Sequence, residues 1–187
     1  MTIGFRVLKR RNKVAADMVA KFRALPVANV SDVMSRMSAG GPRLRPLHAG
    51  GDCTTALVGE LMLSYAIARG VAGIVINGAV RDYGWIKGNS FPVFAAGITH
   101  RGPYKDGPGE INVPVALDGM VIEPGDLVLG DDDGLLCVPF DQAAAIHEQA
   151  RAKNAAEAKV LADTQAGKLD PKSWVDESLK RLGCEGV

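Results

Sequence analysis

Residues 59–97 read GELMLSYAIARGVAGIVINGAVRDYGWIKGNSFPVFAAG, and the fold class follows from this stretch. Apolar residues at helical spacing over residues 57–69 predict a helix, and Gly70 stands where a left-handed C-cap is wanted. Residues 71–76 form a short apolar run that predicts a buried strand. Asn77-Gly78 then predicts a turn, residues 81–87 a short helix, and residues 91–95 a further strand. Helix and strand alternate, so the core is α/β.

Towards the C-terminus the pattern changes. Residues 113–117, 120–122, 126–129 and 135–138 read as short strands separated by Asp118-Gly119, Pro124-Gly125 and Asp133-Gly134, which predicts an antiparallel meander and hence mixed sheets. Asp141 is placed to cap a long helix reaching about residue 166, and residues 174–182 form an amphipathic stretch anchored by Trp174, Leu179 and Leu182. Towards the N-terminus, residues 14–25 predict a helix stopped by Pro26. A second helix is expected to be capped by Ser31 and ended by Gly40-Gly41-Pro42, with residues 42–55 as loop. The expected organisation is a mixed α/β domain over residues 1–140 and a helical extension over residues 141–187.

Composition narrows the partners. Twenty-two basic against 21 acidic side chains leave a net charge of +1, too little for the broad positive field that nucleic-acid binding needs. The basic residues Arg6, Lys9, Arg10, Arg11 and Lys13 are followed by no apolar run of signal-peptide length, and the apolar stretch at residues 67–76 is broken by Arg69, Gly70 and Gly73. Neither a leader nor a membrane span is expected. Cys53, Cys137 and Cys184 are odd in number and widely spaced, which argues against a disulfide framework or a thiolate zinc site and for a cytoplasmic setting.

Most chemical motifs are absent. No phosphate-binding glycine loop occurs, and His48, His100 and His147 stand apart from any zinc-hydrolase or serine-hydrolase pattern. Asp131-Asp132-Asp133-Gly134 lacks the spaced ligands of a calcium loop and reads as a hairpin turn. The informative groups lie within residues 59–82. A helix start at Gly59, Glu60, Leu61 and Met62 offers free N–H groups to a carboxylate. Arg81 and Asp82 follow a strand end, where arginine can grip a carboxylate or an enolate oxygen and aspartate can hold a hard divalent ion. The same two residues equally suit a surface ion pair that caps the next helix.

The runs V-G-E-L, A-R-G-V-A-G-I-V-I-N-G-A-V-R-D and F-P-V-F-A resemble the core of the RraA-like family, which includes 4-hydroxy-4-methyl-2-oxoglutarate aldolases. V-S-D-V-M-S-R-M and V-I-E-P-G-D-L-V-L-G-D-D-D-G-L-L-C-V-P extend the resemblance over most of the chain. It implies a layered β/β/α swivelling-type domain with mixed sheets and a long C-terminal helix. It also implies a divalent-metal-dependent lyase, using Mg2+ or Mn2+, that cleaves a 4-hydroxy-2-oxo dicarboxylic acid to pyruvate, with oxaloacetate decarboxylation as a side activity. In that reading the amides of Gly59, Glu60, Leu61 and Met62 bind the pyruvoyl carboxylate, and Arg81 contacts the 2-oxo acid and its enolate. Asp82 anchors the metal, and Glu60 stands near the metal shell.

The resemblance further implies a homotrimer or dimer of trimers, with Glu157 contributed by a neighbouring chain. On the helix, Ile146, Ala150, Glu157 and Leu161 share one stripe, so Glu157 is either an acid within an apolar seam or a half-exposed residue reaching water. The competing implication is a non-catalytic RraA-type protein that binds and inhibits a ribonuclease. One departure stands out: His48-Ala49-Gly50-Gly51-Asp52 runs straight on where family members carry a few dozen further residues, so a segment is expected to be missing near Gly50-Gly51.

Overall fold

The computed structural model describes residues 5–34, 45–46, 54–103, 109–117, 119–169 and 172–184. In chain order these form β1 (Phe5–Val7), α1 (Ala16–Phe22), α2 (Val27–Val33), β2 (Arg45–Pro46), β3 (Ala56–Val58), α3 (Glu60–Ala68), β4 (Ile74–Val80), α4 (Tyr83–Lys87) and β5 (Val93–Ile98). They continue as β6 (Gly109–Ile111), β7 (Val115–Leu117), β8 (Met120–Ile122), β9 (Leu127–Asp131), β10 (Gly134–Val138), α5 (Ala143–Gln165) and α6 (Ser173–Arg181). The fold is mixed α/β, with parallel and antiparallel pairing and a long C-terminal helix.

The central sheet has the order β2-β5-β4-β3, with β3, β4 and β5 mutually parallel and β2 antiparallel at the edge. The helix expected from residue 57 begins at Glu60, because Ala56–Val58 is taken into this sheet as β3. The turn expected at Asn77-Gly78 does not form. Strand β4 runs on to Val80, and a register shift between Ile76 and Ala79 absorbs the two residues while β3 and β5 hold the strand from both sides. Gly70 has φ 73°, the left-handed C-cap expected of it.

Two antiparallel hairpins, β7-β8 and β9-β10, carry the expected meander, and β1 pairs in parallel with β6. The β9-β10 turn is the tri-aspartate run. Asp131 accepts from Asp133 N–H at 2.9 Å through Oδ1 and from Val27 N–H at 3.1 Å through Oδ2. Asp131 therefore satisfies a free donor at the start of α2, which is why that helix begins at Val27 and holds Ser31 in its interior rather than as its cap. The expected end of this helix at Gly40-Gly41-Pro42 and the junction at Gly50-Gly51 lie outside the described residues.

Three apolar clusters hold the sheet system. Leu63, Ile76, Val80, Ile86, Val93 and Ala95 join α3 and α4 to the central sheet. Phe94, Met120, Leu135 and Cys137 join that sheet to the hairpins, and Phe22, Val30, Leu136, Val138, Ile146 and Ala150 join β9-β10 to α1, α2 and the first turns of α5. The chain divides into two compact units, Met1–Arg151 and Ala152–Val187. Among the described residues no helix is long and apolar enough to cross a membrane.

Candidate functional site

The carboxyl ends of three parallel strands meet, and most of the residues singled out by sequence leave from them. The register sets Val58 against Val80 and Val80 against Ile98. Beyond it, Arg81 N–H donates to Val58 O and Thr99 N–H to Val80 O, each at 3.0 Å. Carboxyl ends of neighbouring parallel strands are where open α/β sheets gather ligand-binding groups. Here they deliver Gly59 from β3, Arg81 and Asp82 from β4, and Thr99-His100-Arg101-Gly102 from β5.

Asp82 adopts φ 60° and ψ 39°, a left-handed conformation that aspartate tolerates better than most residues but that still carries strain of about 1–2 kcal/mol. It turns the chain sharply from β4 into α4. Its carbonyl accepts from Trp85 N–H at 3.0 Å and Ile86 N–H at 3.1 Å, while its side chain makes no cap to α4. Instead Oδ2 accepts the Glu60 N–H at 2.9 Å, in the first turn of α3, and lies 3.7 Å from Arg81 Nε. The carboxylate thus serves the neighbouring helix, where the partial positive charge of the helix start favours it.

Glycine is required at the contact between the two elements. Gly59 is extended (φ −152°), and an added Cβ would collide with Asp82 Oδ2 and stand 2.8 Å from Arg81 Cγ. Gly102 closes the other side: a Cβ there would lie 3.2 Å from Arg81 Nη1. Arg81 is therefore seated between two positions without side chains, with its side chain still 43% exposed. Gly102 carried no motif in the sequence. Its place after the strand parallel to β4 was the one available signal.

Leu63 N–H makes the first intrahelical bond of α3, to Gly59 O at 3.0 Å. The N–H groups of Glu60, Leu61 and Met62 precede it and have no intrahelical acceptor. Glu60 has given its N–H to Asp82, which leaves Leu61 and Met62 as the helix-start donors for an anion. The structure thus brings together Gly59, Glu60, Leu61, Met62, Arg81 and Asp82. Glu157 lies in the second unit, where its side chain is 52% exposed and pairs with Lys153 at 2.7 Å. The half-exposed arrangement is the one observed. Of its stripe, Ile146 and Ala150 are buried and Leu161 is exposed.

Among the described residues no group of three or more His, Cys, Asp or Glu side chains could hold a metal ion. Asp82 is a single anchor, so the donor set fits a hard cation that keeps most of its waters, as Mg2+ does, and does not fit a closed protein cage. His147 packs its ring edge-on against Phe22 at 5.2 Å, a role in the core, and His100 is exposed. Away from the site, burial first and the Asp126 carboxylate second push the Cys137 thiol up to about 12.

Residues 46–137 match the family described as RraA-like (Aldolase/RraA). A Halalkalibacterium halodurans protein with the provisional name 4-hydroxy-4-methyl-2-oxoglutarate aldolase is 36% identical over 141 residues, 75% of this chain; the chain spans 62% of that relative's length. Among solved structures, an uncharacterized protein from Pseudomonas syringae pv. tomato superposes with a TM-score of 0.76 at 22% identity, covering 85% of this chain and 97% of its own. RraAS2 of Streptomyces coelicolor, described as an unusual member of the RNase ES inhibitor RraA protein family, gives 0.70 at 20% identity, with 78% and 97% covered. At those identities the two structures speak for the fold. The chain thus carries an RraA-like region over residues 46–137, on a fold that these solved structures share.

Proposed function

We propose that the chain is a divalent-metal-dependent aldolase that cleaves a 4-hydroxy-2-oxo dicarboxylic acid to pyruvate. The observation that carries this reading is the Asp82 carboxylate, held in a strained left-handed turn by the Glu60 N–H beside Arg81. Strain retained at a strand end, with an acid and a guanidinium side by side over an obligatory glycine, suits a preorganised site better than a surface ion pair.

The residues divide the work as follows. The Leu61 and Met62 N–H groups at the start of α3 receive the carboxylate next to the oxo group. Arg81 donates to the oxo oxygen and stabilises the negative charge that develops there; one well-placed donor is worth about 3 kcal/mol in studied enzymes. Asp82 would hold Mg2+ or Mn2+ through its one carboxylate, with waters as the other ligands, and such an ion would supply Lewis-acid chemistry for a 2-oxo acid. Glu60, exposed at the helix start, takes the proton of the C4 hydroxyl directly or through a water. The C3–C4 bond then breaks, C4 leaves as a carbonyl, and the electron pair remains on C3 as pyruvate enolate, which takes up a proton. Decarboxylation of oxaloacetate passes through the same enolate and is the expected side activity. In a trimer or dimer of trimers, Glu157 of a neighbouring chain would complete the acidic side of the site.

Pyruvate release from oxaloacetate, measured with and without chelator, tests the proposal. Release that stops with chelator and returns with added Mg2+ is expected. Release unaffected by chelator would reject the metal-dependent route, and no release from either oxaloacetate or a 4-hydroxy-2-oxo diacid would reject the aldolase.

A further inference from the structure

The segment that follows β5 does more than end a strand. In the order β5-β4-β3, strand β4 separates its neighbours, yet Ala56 N–H at the start of β3 donates to Arg101 O at 2.8 Å. To make that bond the chain leaving β5 must cross the end of β4, where Arg81 and Asp82 emerge. The crossing is anchored on both sides: Thr99 N–H bonds Val80 O at 3.0 Å, and Gly102 lies against Arg81 Nη1. Arg101 sits in the middle of this strap, one peptide, about 3.8 Å, from Gly102. Its backbone is fixed by these bonds while its side chain is exposed, and no carboxylate among the described residues pairs with it.

A second arginine, on the strap that runs past Arg81, changes what the site can recognise. Arg81 already has Asp82 at 3.7 Å as a counter-charge, and Arg101 has none among the described residues. Two cations of the same sign on one rim repel each other unless an anion bridges or accompanies them. The helix-start donors and Arg81 account for one carboxylate and the oxo group, so Arg101 is left over for a second carboxylate. Arginine matches a carboxylate with two parallel N–H donors, which gives direction as well as charge.

We infer that Arg101 is the specificity-determining residue for the distal carboxylate, selecting 2-oxo diacids over 2-oxo monoacids. This rests on the aldolase reading above. The strap fixes the Arg101 backbone past the end of β4, and among the described residues its side chain has no ion pair to break before it meets a substrate carboxylate.

The test compares 4-hydroxy-2-oxoglutarate with 4-hydroxy-2-oxopentanoate, in which a methyl group replaces the distal carboxylate, on wild type, Arg101→Gln and Arg101→Lys. Wild type is expected to favour the diacid. Arg101→Gln should lower the diacid-to-monoacid ratio of kcat/KM by about tenfold to a hundredfold, chiefly through KM for the diacid. Arg101→Lys should recover part of it. Circular dichroism checks that both variants fold. An active wild type whose ratio changes less than about twofold in Arg101→Gln overturns the inference and leaves the aldolase standing. A wild type inert towards both compounds overturns the aldolase reading and this inference with it.

Discussion

At the scale of single residues, the site depends on what Gly59 lacks. A methyl group there would strike the Asp82 carboxylate and press on Arg81 Cγ at 2.8 Å, so one or both must move. Displacements near 1 Å at reacting groups cost about a hundredfold in rate, and Gly59→Ala is expected to lose at least that in pyruvate release while retaining its circular dichroism. Asp82→Asn tests the charge with little change of shape. Asparagine tolerates the left-handed conformation and can still accept the Glu60 N–H, so Asp82→Asn should melt within a few degrees of wild type yet lose its Mg2+-dependent activity. Asp82→Ala, by contrast, forfeits both the acceptor and the tolerance and should fall by about 1–2 kcal/mol in urea titration. Wild-type turnover in Asp82→Asn would remove the metal site. Arg81 and Asp82 were legible as candidates because strand, turn and charge coincide in sequence. The left-handed turn at Asp82, its bond to another helix, and the closeness of Gly102 were not, because each is set by residues twenty or more positions away.

At the scale of elements, the site is as rigid as the contact between α3 and the sheet. Leu63 is fully buried in the cluster with Ile76, Val80 and Ile86, one turn below the Glu60–Asp82 bond. Leu63→Ala should cost about 2–5 kcal/mol in urea unfolding, and activity should fail at lower denaturant than secondary structure does. The hairpin β9-β10 offers a second test. Its Cys137 thiol, pushed up to about 12 chiefly by burial, holds its proton in the folded state. Its contribution to stability is present below the ordinary value of 9.0 and is lost as pH climbs from there towards 12. Peptide-level mass spectrometry after alkylation at pH 8 should find Cys184 modified and Cys137 protected until denaturant is added. The alternation of β9, β10 and their Asp-Gly turn was readable locally, since both strands and the turn lie within twelve residues. Strand β3 was not. Its three residues run into the helix with only Gly59 between them, too short a run to read as a strand by itself, and pairing with β4 is what distinguishes them.

At the scale of the whole molecule, the question is what covers the apolar residues of the second unit. Every buried position of α5, namely Ala143, Ile146 and Ala150, falls within the first unit. From residue 152 onward no described residue is buried, while Val160, Leu161, Leu169, Trp174 and Leu182 are exposed. The part of α5 from residue 152 and the whole of α6 have no buried position among the described residues, and such helices are marginal on their own because helix stability in water comes mostly from packing an apolar face. The trimer proposed for the active protein would supply that packing and bring Glu157 of one chain towards the strand ends of another. Light scattering should then give three or six times the monomer mass. Leu161→Asp and Trp174→Asp, placed at exposed apolar positions, should reduce that mass and lower activity together, because each would bury an unpaired charge on assembly. Glu157→Gln should keep the assembly and lower kcat alone. A wild-type protein that is monomeric and fully active would show that the strand-end site suffices within one chain, and Glu157 would then have no part in the chemistry.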